Sequence, residues 1–191
     1  MPADSYGVIV EGEYDSAVYV EIMPRLASHP VHVIAFQCEG RPNLMRKFPG
    51  LLEALKYEWG SGPVDMAIVI ADADGRDPSD VELQMRSKVA GREYPFEVHF
   101  YAVQQAMEAW LLADADALSR VVVNRRGKRL ERTHDRLEDL LDPKSMMRGL
   151  LSDNRVAYTS AVGAEIAREI NFRVLSERCP RFRLFAQLVD C

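Results

Sequence analysis

The chain has 191 residues, of which 48% are hydrophobic, and its formal net charge is −5 at pH 7. This length fits one domain with a sizeable core, and the longest apolar run, residues 66–71, is far shorter than the roughly 20 residues that a membrane helix requires. The negative charge argues against a protein that coats nucleic acid nonspecifically, and no basic N-terminal region precedes an apolar stretch, so we expect a cytoplasmic protein that does not contact a membrane.

The first hundred residues alternate between strand and helix patterns. Short apolar runs rich in β-branched residues predict strands at 6–10, 31–36, 64–71 and 96–103, and apolar residues at three- and four-residue spacing predict a helix after each of the first three. The third run is nearly continuous, which indicates a central place in a parallel sheet. The pattern predicts an α/β fold with a mostly parallel four-stranded sheet flanked by helices.

From Gln105 onward the pattern favours helices. Amphipathic segments at 145–151, 163–170 and 182–189 predict helices, and only Val121-Val122-Val123 gives a brief strand signal. We therefore predict a core over residues 1–112 and a mainly helical C-terminal extension over residues 113–191, packed on that core.

Three acidic residues follow predicted strands: Glu11 follows the first, and Asp72 and Asp74 follow the third. The carboxyl ends of parallel strands share one edge, where ligands bind, so the three carboxylates converge if the first and third strands are neighbours. Like charges at short range repel unless a cation neutralises them, and Mg²⁺ or Mn²⁺ suits such oxygen ligands. The alternative is ordinary turn chemistry, because Asp-Gly clusters often end strands.

Two further residues are candidates for the same site. Glu108 lies three residues after Gln105, so on a helix both would share a face directed at the sheet edge, where Glu108 could complete the metal site. The alternative for Glu108 is an ion pair or a hydrogen bond with the Trp110 indole. Lys144 could stabilise charge on a pentavalent phosphorus, or it is a solvated residue of the helix that Asp142-Pro143 begins.

Three further residues are candidates for contacting the metal ligands without binding the metal themselves. They are Glu13, Asp77 and Gln105. The presence of Glu13 and of Asp15 can also be explained without a metal site. Both fall in the first turn of a predicted helix, where the helix dipole stabilises negative charge.

The segment 120–136 is strongly basic. It holds seven Lys or Arg residues against two acids, a local charge of about +5 that leaves about −10 for the rest of the chain. The segment is either a solvated charged loop or a strip that contacts phosphates. The candidate nucleic-acid-binding residues are Arg125, Arg126, Lys128, Arg129 and Arg132.

Two short motifs carry a resemblance to a known module: Glu11-Gly12 after the first strand, and Asp72-x-Asp74 after the third. With these, residues 6–112 resemble a TOPRIM domain, the module of topoisomerases, DnaG-type primases and overcoming-lysogenization-defect nucleases. The resemblance implies a Rossmann-like sheet, Glu11 as a ligand or an acid/base group, and Asp72 and Asp74 as Mg²⁺ ligands.

Motifs across most of the chain carry a second resemblance. They are Val10-Glu11-Gly12-Glu13, Gly40, Asp72-Ala73-Asp74-Gly75, Gln105, the segment 108–114 and Asp142-Pro143-Lys144. These motifs are similar to those of an uncharacterised bacterial TOPRIM-like family, the domain-of-unknown-function 4276 family. The similarity implies a relation to overcoming-lysogenization-defect nucleases, an ATPase partner encoded nearby and a role in phage defence.

Together these features predict a Mg²⁺-dependent, TOPRIM-type nuclease-like protein acting on the phosphodiesters of DNA or RNA. The chain lacks a motif for an activated Ser, Cys or Tyr nucleophile, which favours water as the attacking group. Three alternatives stay open. One is a noncatalytic metal-binding regulatory or interaction subunit, and another is an Asp-x-Asp nucleotide-sugar transferase, which leaves Glu11-Gly12 unexplained. The third is a phosphatase with Asp72 as covalent nucleophile, a class that would place this motif after the first strand and not after the third.

Overall fold

Four parallel strands form a sheet in the order β2-β1-β3-β4. The protein is described by a computed structural model over residues 3–57, 64–125, 127–130 and 137–190. The strands are β1 (Ser5–Val10), β2 (His32–Gln37), β3 (Met66–Asp72) and β4 (Glu97–Val103). The predicted α/β class and four-stranded parallel sheet are therefore confirmed, in a Rossmann-like arrangement.

Helices connect the strands and form the described C-terminal part. The connecting helices are α1 (Glu13–Leu26), α2 (Arg41–Ala54) and α3 (Pro78–Ser87). After β4 come α4 (Glu108–Ala113), α5 (Ala115–Asn124), α6 (Pro143–Asp153), α7 (Ser160–Glu169), α8 (Phe172–Arg178) and α9 (Pro180–Val189), with one turn of 3-10 helix at Leu137–Asp139. Among the described residues, none of these helices combines the length and apolarity needed to cross a bilayer.

The sheet separates two hydrophobic cores because successive side chains of a strand point to opposite faces. In β1, Val8 and Val10 join the core formed with α1 and the helices that follow β4, whereas Ile9 joins the core formed with α2 and α3. In β3, Ile68 faces the first core and Val69 the second. This two-sided burial explains the nearly continuous apolar run that predicted a central β3.

An aromatic cluster ties the C-terminal helices to the sheet. Trp110 of α4 is fully buried, and its ring centroid lies 5.1 Å from that of Phe182 and 5.4 Å from that of Phe185. Phe185 also contacts Tyr19 of α1 and Tyr101 of β4, at 5.5 and 5.2 Å. The C-terminal helices thus share one core with the sheet.

The brief strand signal at Val121-Val122-Val123 is wrong, because these residues lie in α5. Branching at Cβ lowers helix propensity only slightly, and tertiary burial outweighs it here. Val121 and Val122 are buried, and the Asp114 side chain caps the helix by accepting hydrogen bonds from Asp116 N and Ala117 N.

We expect Phe185→Ala to destabilise the protein by about 3–5 kcal/mol, because it removes a buried ring from the aromatic cluster and leaves a cavity. Its neighbour Leu184 is 50% exposed, so Leu184→Ala serves as the matched control and should cost less than about 1 kcal/mol. Urea unfolding of both variants measures the difference. Equal losses would contradict a shared core between the C-terminal helices and the sheet.

Candidate acidic site

The expected proximity of the first and third strands is found, and it brings Glu11 and Asp72 together. Glu11 Oε1 accepts a hydrogen bond from Asp72 N at 3.1 Å, across the carboxyl ends of β1 and β3. The Asp72 carboxylate in turn accepts one from Met107 N at 3.2 Å, just before α4. Both acids therefore stand where three strand ends meet.

Asp74 occupies a sharp turn after β3. Its φ of 50° lies in the left-handed region that non-glycine residues rarely adopt, and Gly75 follows with a φ of 79°. Arg41, the first residue of α2, donates from Nη1 to Asp72 O at 2.6 Å and lies 3.5 Å from Asp74 Oδ2. The Arg41 guanidinium thus holds this turn against the sheet edge, a contact that sequence reasoning missed.

Two more carboxylates are buried beside these acids. Glu108 of α4 has no exposed surface, and Asp15 of α1 is only 8% exposed while accepting a hydrogen bond from Gly12 N at 2.9 Å. Asp15 does lie in the first helical turn, as predicted, but the explanation by the helix dipole alone missed its burial. A signal was present, because Asp15, Val18, Tyr19 and Ile22 share the i, i+3, i+4, i+7 spacing of a buried helix face.

Lys144 of α6 supplies positive charge to this group. Its Nζ lies 3.7 Å from Glu108 Oε1, so the ion pair considered as an alternative for Glu108 is present, whereas the hydrogen bond from the Trp110 indole to Glu108 is not. Burial lowers the pKa of Lys144, but Glu108, Asp15 and Asp72 outweigh it and leave this pKa raised. Lys144 thus stays protonated and faces the acids rather than bulk solvent alone.

Burial makes the carboxylates hard to ionise. Loss of hydration raises the pKa of Glu11 to about 7, with Asp74 adding a smaller repulsion. Loss of hydration also raises the pKa of Asp15 to about 7, helped by the neighbouring charges of Glu108 and Glu11. The pKa of Asp72 is raised well above its usual range by burial and then by the charges of Asp15 and Glu11. In the absence of a cation these acids therefore retain a part of their protons at neutral pH.

The donor chemistry fits a hard divalent cation. Every acidic ligand offers oxygen, and Glu108 Oε2 is buried without a hydrogen-bond partner among the described residues. Within that same part of the chain, however, no three His, Cys, Asp or Glu side chains form a group that could hold a metal ion. A cation held by one or two of these carboxylates, with water and a substrate phosphate as its other ligands, agrees with both observations.

A small cavity opens beside the acids. Its volume is about 130 Å³, and its lining comprises Asp72, Asp74, Gln105, Ala106, Leu141, Asp142, Pro143 and Lys144. Asp142 accepts a hydrogen bond from Ser145 N and Pro143 begins α6, so the predicted helix start is confirmed and brings Lys144 to the cavity.

The three residues predicted to contact the metal ligands lie in different places in the structure. Gln105 lines the cavity, but the expectation that it shares a helix face with Glu108 is wrong, because α4 begins only at Glu108. Asp77 caps α3 by accepting a hydrogen bond from Ser79 N. Glu13 accepts one from Ser160 Oγ at 2.6 Å, which links α1 to α7.

The described residues of the basic segment 120–136 do not line the cavity, and the arginines among them pair with acids. Arg120 contacts Glu169, Arg125 contacts Glu165, and Arg129 contacts Asp116. Lys128 lies next to these in the chain, and its backbone N–H donates to the Asn154 side chain. Arg126 and Arg132 lie outside the described residues. A role of this strip in binding phosphates stays a prediction.

We expect the metal-free protein to become less stable as the pH rises from 5 to 8. Folded Glu11 and Asp15 titrate near pH 7 but near 4.5 and 3.8 when unfolded, so between these values the folded state holds more protons. The free energy of unfolding should fall by about 2–3 kcal/mol for each of the two residues over this interval.

Urea unfolding in the presence of a chelator measures this slope. Asp15→Asn should make the dependence of the unfolding free energy on pH less steep, because the amide does not titrate. Asp80→Asn, at an exposed position in the first turn of α3, should leave this dependence unchanged. A stability that increases across the same interval would show that these carboxylates are well solvated.

Comparison with known proteins gives one match, to a protein family. The model of a protein family, Domain of unknown function (DUF4276), matches residues 10–190. No curated protein and no solved structure matches significantly. The match spans nearly the whole chain, including every described residue of the acidic site, and the chain therefore belongs to the DUF4276 family.

Proposed function

We propose that this protein is a Mg²⁺- or Mn²⁺-dependent nuclease-like enzyme that acts on the phosphodiesters of DNA or RNA. One observation carries the proposal: four carboxylates gather at the carboxyl edge of the sheet with a lysine facing them, namely Glu11 after β1, Asp72 of β3 and the buried Asp15 and Glu108 of α1 and α4. A divalent cation can replace the protons that such carboxylates otherwise hold, and a cation that shares its ligands with a phosphate is suited to phosphodiester chemistry.

Each residue of the site has a role in such a reaction. A bound divalent cation would polarise the phosphate and lower the pKa of a coordinated water. One or two of the carboxylates of Asp72, Asp74 and Glu108 would hold the cation, and Lys144 would bind a phosphate oxygen and stabilise its negative charge. Glu11, whose pKa is raised to about 7 by burial, can take up and release a proton near neutral pH, as an acid/base group must.

The size of the cavity favours a substrate that enters only in part. Sites that enclose a small organic ligand usually measure roughly 300–1,000 Å³, whereas this cavity measures about 130 Å³. A phosphate group with its cation is compatible with this space, and the sugar and base would remain outside. The cavity is a poor match for a nucleotide sugar, which disfavours the transferase alternative.

The relation to TOPRIM domains and to overcoming-lysogenization-defect nucleases is part of this proposal. It is supported by Glu11 after β1 and Asp72-x-Asp74 after β3, with β1 and β3 adjacent in the sheet. An ATPase partner encoded nearby and a role in phage defence follow from the resemblance alone. For this reason the activity assays are run both with the protein alone and with such an ATPase.

A noncatalytic metal-binding subunit is the second candidate, and one observation favours it. Among the described residues no three potential ligands are already grouped around one point. A regulatory site that binds a cation only together with a partner's acidic or phosphate groups would have this property. Turnover of nucleic acid separates the two functions.

We expect wild-type protein with Mn²⁺ or Mg²⁺ to cleave labelled single-stranded DNA, duplex DNA or RNA. Glu11→Gln and Asp72→Asn should each reduce the rate about 100-fold or more, because each weakens the placement of the cation or the transfer of a proton. The matched control is Glu97→Gln, at an exposed carboxylate on the opposite edge of the sheet, which should keep the wild-type rate.

The amide variants preserve hydrogen-bond acceptors, so melting temperatures within a few degrees of wild type are expected. If Mn²⁺ raises the melting temperature while no nucleic acid is cleaved, with or without the ATPase, the noncatalytic function replaces the nuclease.

The basic strip makes a separate prediction about binding. Replacing Lys128 and Arg129 together by Ala should reduce the slope of log affinity against log salt for duplex DNA by about 2, because two phosphate contacts are lost. Replacing Lys88 and Arg92, exposed residues at the end of α3 and just beyond it, should leave the slope unchanged. Fluorescence anisotropy at several salt concentrations measures it, and equal slopes for both double variants would remove the strip from the interface.

A further inference from the structure

The carboxylate of Glu108 is held through one oxygen only. Oε1 accepts a hydrogen bond from the Tyr158 hydroxyl at 3.2 Å and lies 3.7 Å from Lys144 Nζ. Oε2 is equally buried, yet across the described chain nothing donates a hydrogen bond to it. The two oxygens of one side chain thus have different surroundings, one fixed and one free.

A free buried carboxylate oxygen is costly. Leaving such a group without a partner costs free energy, and the cost is larger when the group is charged. Asp15 is an acid close enough to repel Glu108, and it cannot supply a compensating positive charge. A cation, which the neighbouring acids would also attract, would satisfy this oxygen.

Tyr158 is itself firmly anchored. The Tyr14 hydroxyl donates to Tyr158 O at 3.3 Å, and the two rings pack with their centroids 5.0 Å apart. Tyr158 immediately precedes Thr159, the residue that caps α7. A tyrosine hydroxyl ordinarily keeps its proton at neutral pH, so the phenol can donate to the carboxylate.

Lys144 cannot hold Glu108 in the same way. A separation of 3.7 Å exceeds a hydrogen bond, and the Lys144 side chain is 41% exposed. The ammonium contributes charge, whereas the Tyr158 hydroxyl contributes a directed bond. Orientation of the carboxylate therefore depends on Tyr158.

We infer that Tyr158 is a positioning residue of a divalent-cation site: its hydroxyl fixes Glu108 through Oε1 and thereby presents Oε2 to the cation. The inference rests on the proposed function, because Glu108 is one of the ligands of the cation that this function requires and Tyr158 orients it. Tyr158 acts through Glu108 and does not itself touch the cation. Tyr158 lies in the predicted C-terminal extension, so the proposed site includes residues from both predicted parts of the chain.

The test compares two deletions of a single buried hydroxyl. Tyr158→Phe removes the donor to Glu108, and Tyr6→Phe removes a donor to the backbone carbonyl of Val189, near the start of β1 and apart from Glu108. Mn²⁺ binding to the full chain is titrated by electron paramagnetic resonance without nucleic acid. We expect Tyr158→Phe to weaken Mn²⁺ binding about tenfold or more, as loss of a residue that orients a ligand does at other metal sites, and Tyr6→Phe to change it less than about twofold.

Melting in the presence of a chelator separates positioning from general stability, because both variants should then melt within a few degrees of wild type. Wild-type affinity in Tyr158→Phe, or equal weakening in both variants, overturns the inference and leaves the proposed function standing. A wild-type protein that binds no Mn²⁺ at millimolar concentration overturns the proposed function and the inference with it.

Discussion

The loss of hydration by neighbouring carboxylates, together with the repulsion among them, is the constraint on which the rest of this structure depends. The parallel register of β1 and β3 brings Glu11 beside Asp72, and the helices that follow β1 and β4 add Asp15 and Glu108. Gathering these acids away from water opposes folding, and the raised pKa values of three of them express that cost. The large apolar cores on both sides of the sheet offset it, and Lys144 relieves part of it.

The same carboxylates also build the loops of the site. Glu11 accepts a hydrogen bond from Asp72 N, Asp72 accepts one from Met107 N, and Asp15 accepts one from Gly12 N. Each acid thereby closes the start of a loop or a helix, so an alanine substitution would remove a structural bond together with the charge. Amide replacements keep an acceptor in place, and for this reason they separate chemistry from folding more cleanly than alanine does.

Local patterns predicted the elements from which the site is made. Alternation and helical spacing gave the strands, the sheet class and the strand-end positions of Glu11 and Asp72, because these features depend on a few neighbouring residues. The strand signal at Val121-Val122-Val123 failed where burial outweighed propensity. Asp15 was missed although its spacing on the buried face of α1 indicated it.

The remaining contacts depend on tertiary packing that no local pattern encodes. Arg41 reaches Asp72 from 31 residues away, and Tyr158 reaches Glu108 from 50 residues away. Both contacts exist only once α2 and the loop before α7 have settled on the sheet. Composition and periodicity describe single elements, so they cannot identify which side chain of a distant loop meets a given carboxylate.

Helix α4 joins the stability of the fold to the geometry of the site. All six of its residues are buried, with Trp110 at the centre of the aromatic cluster and Glu108 among the carboxylates. A short helix packed on every side cannot shift one end without disturbing the other, because protein interiors are close-packed. The aromatic cluster therefore fixes where Glu108 stands, and the Tyr158 hydroxyl fixes how its carboxylate turns. The chain after α4 supplies Phe182 and Phe185 of this cluster as well as Tyr158 in the loop before α7, so it contributes to the candidate site and does not only cover the sheet.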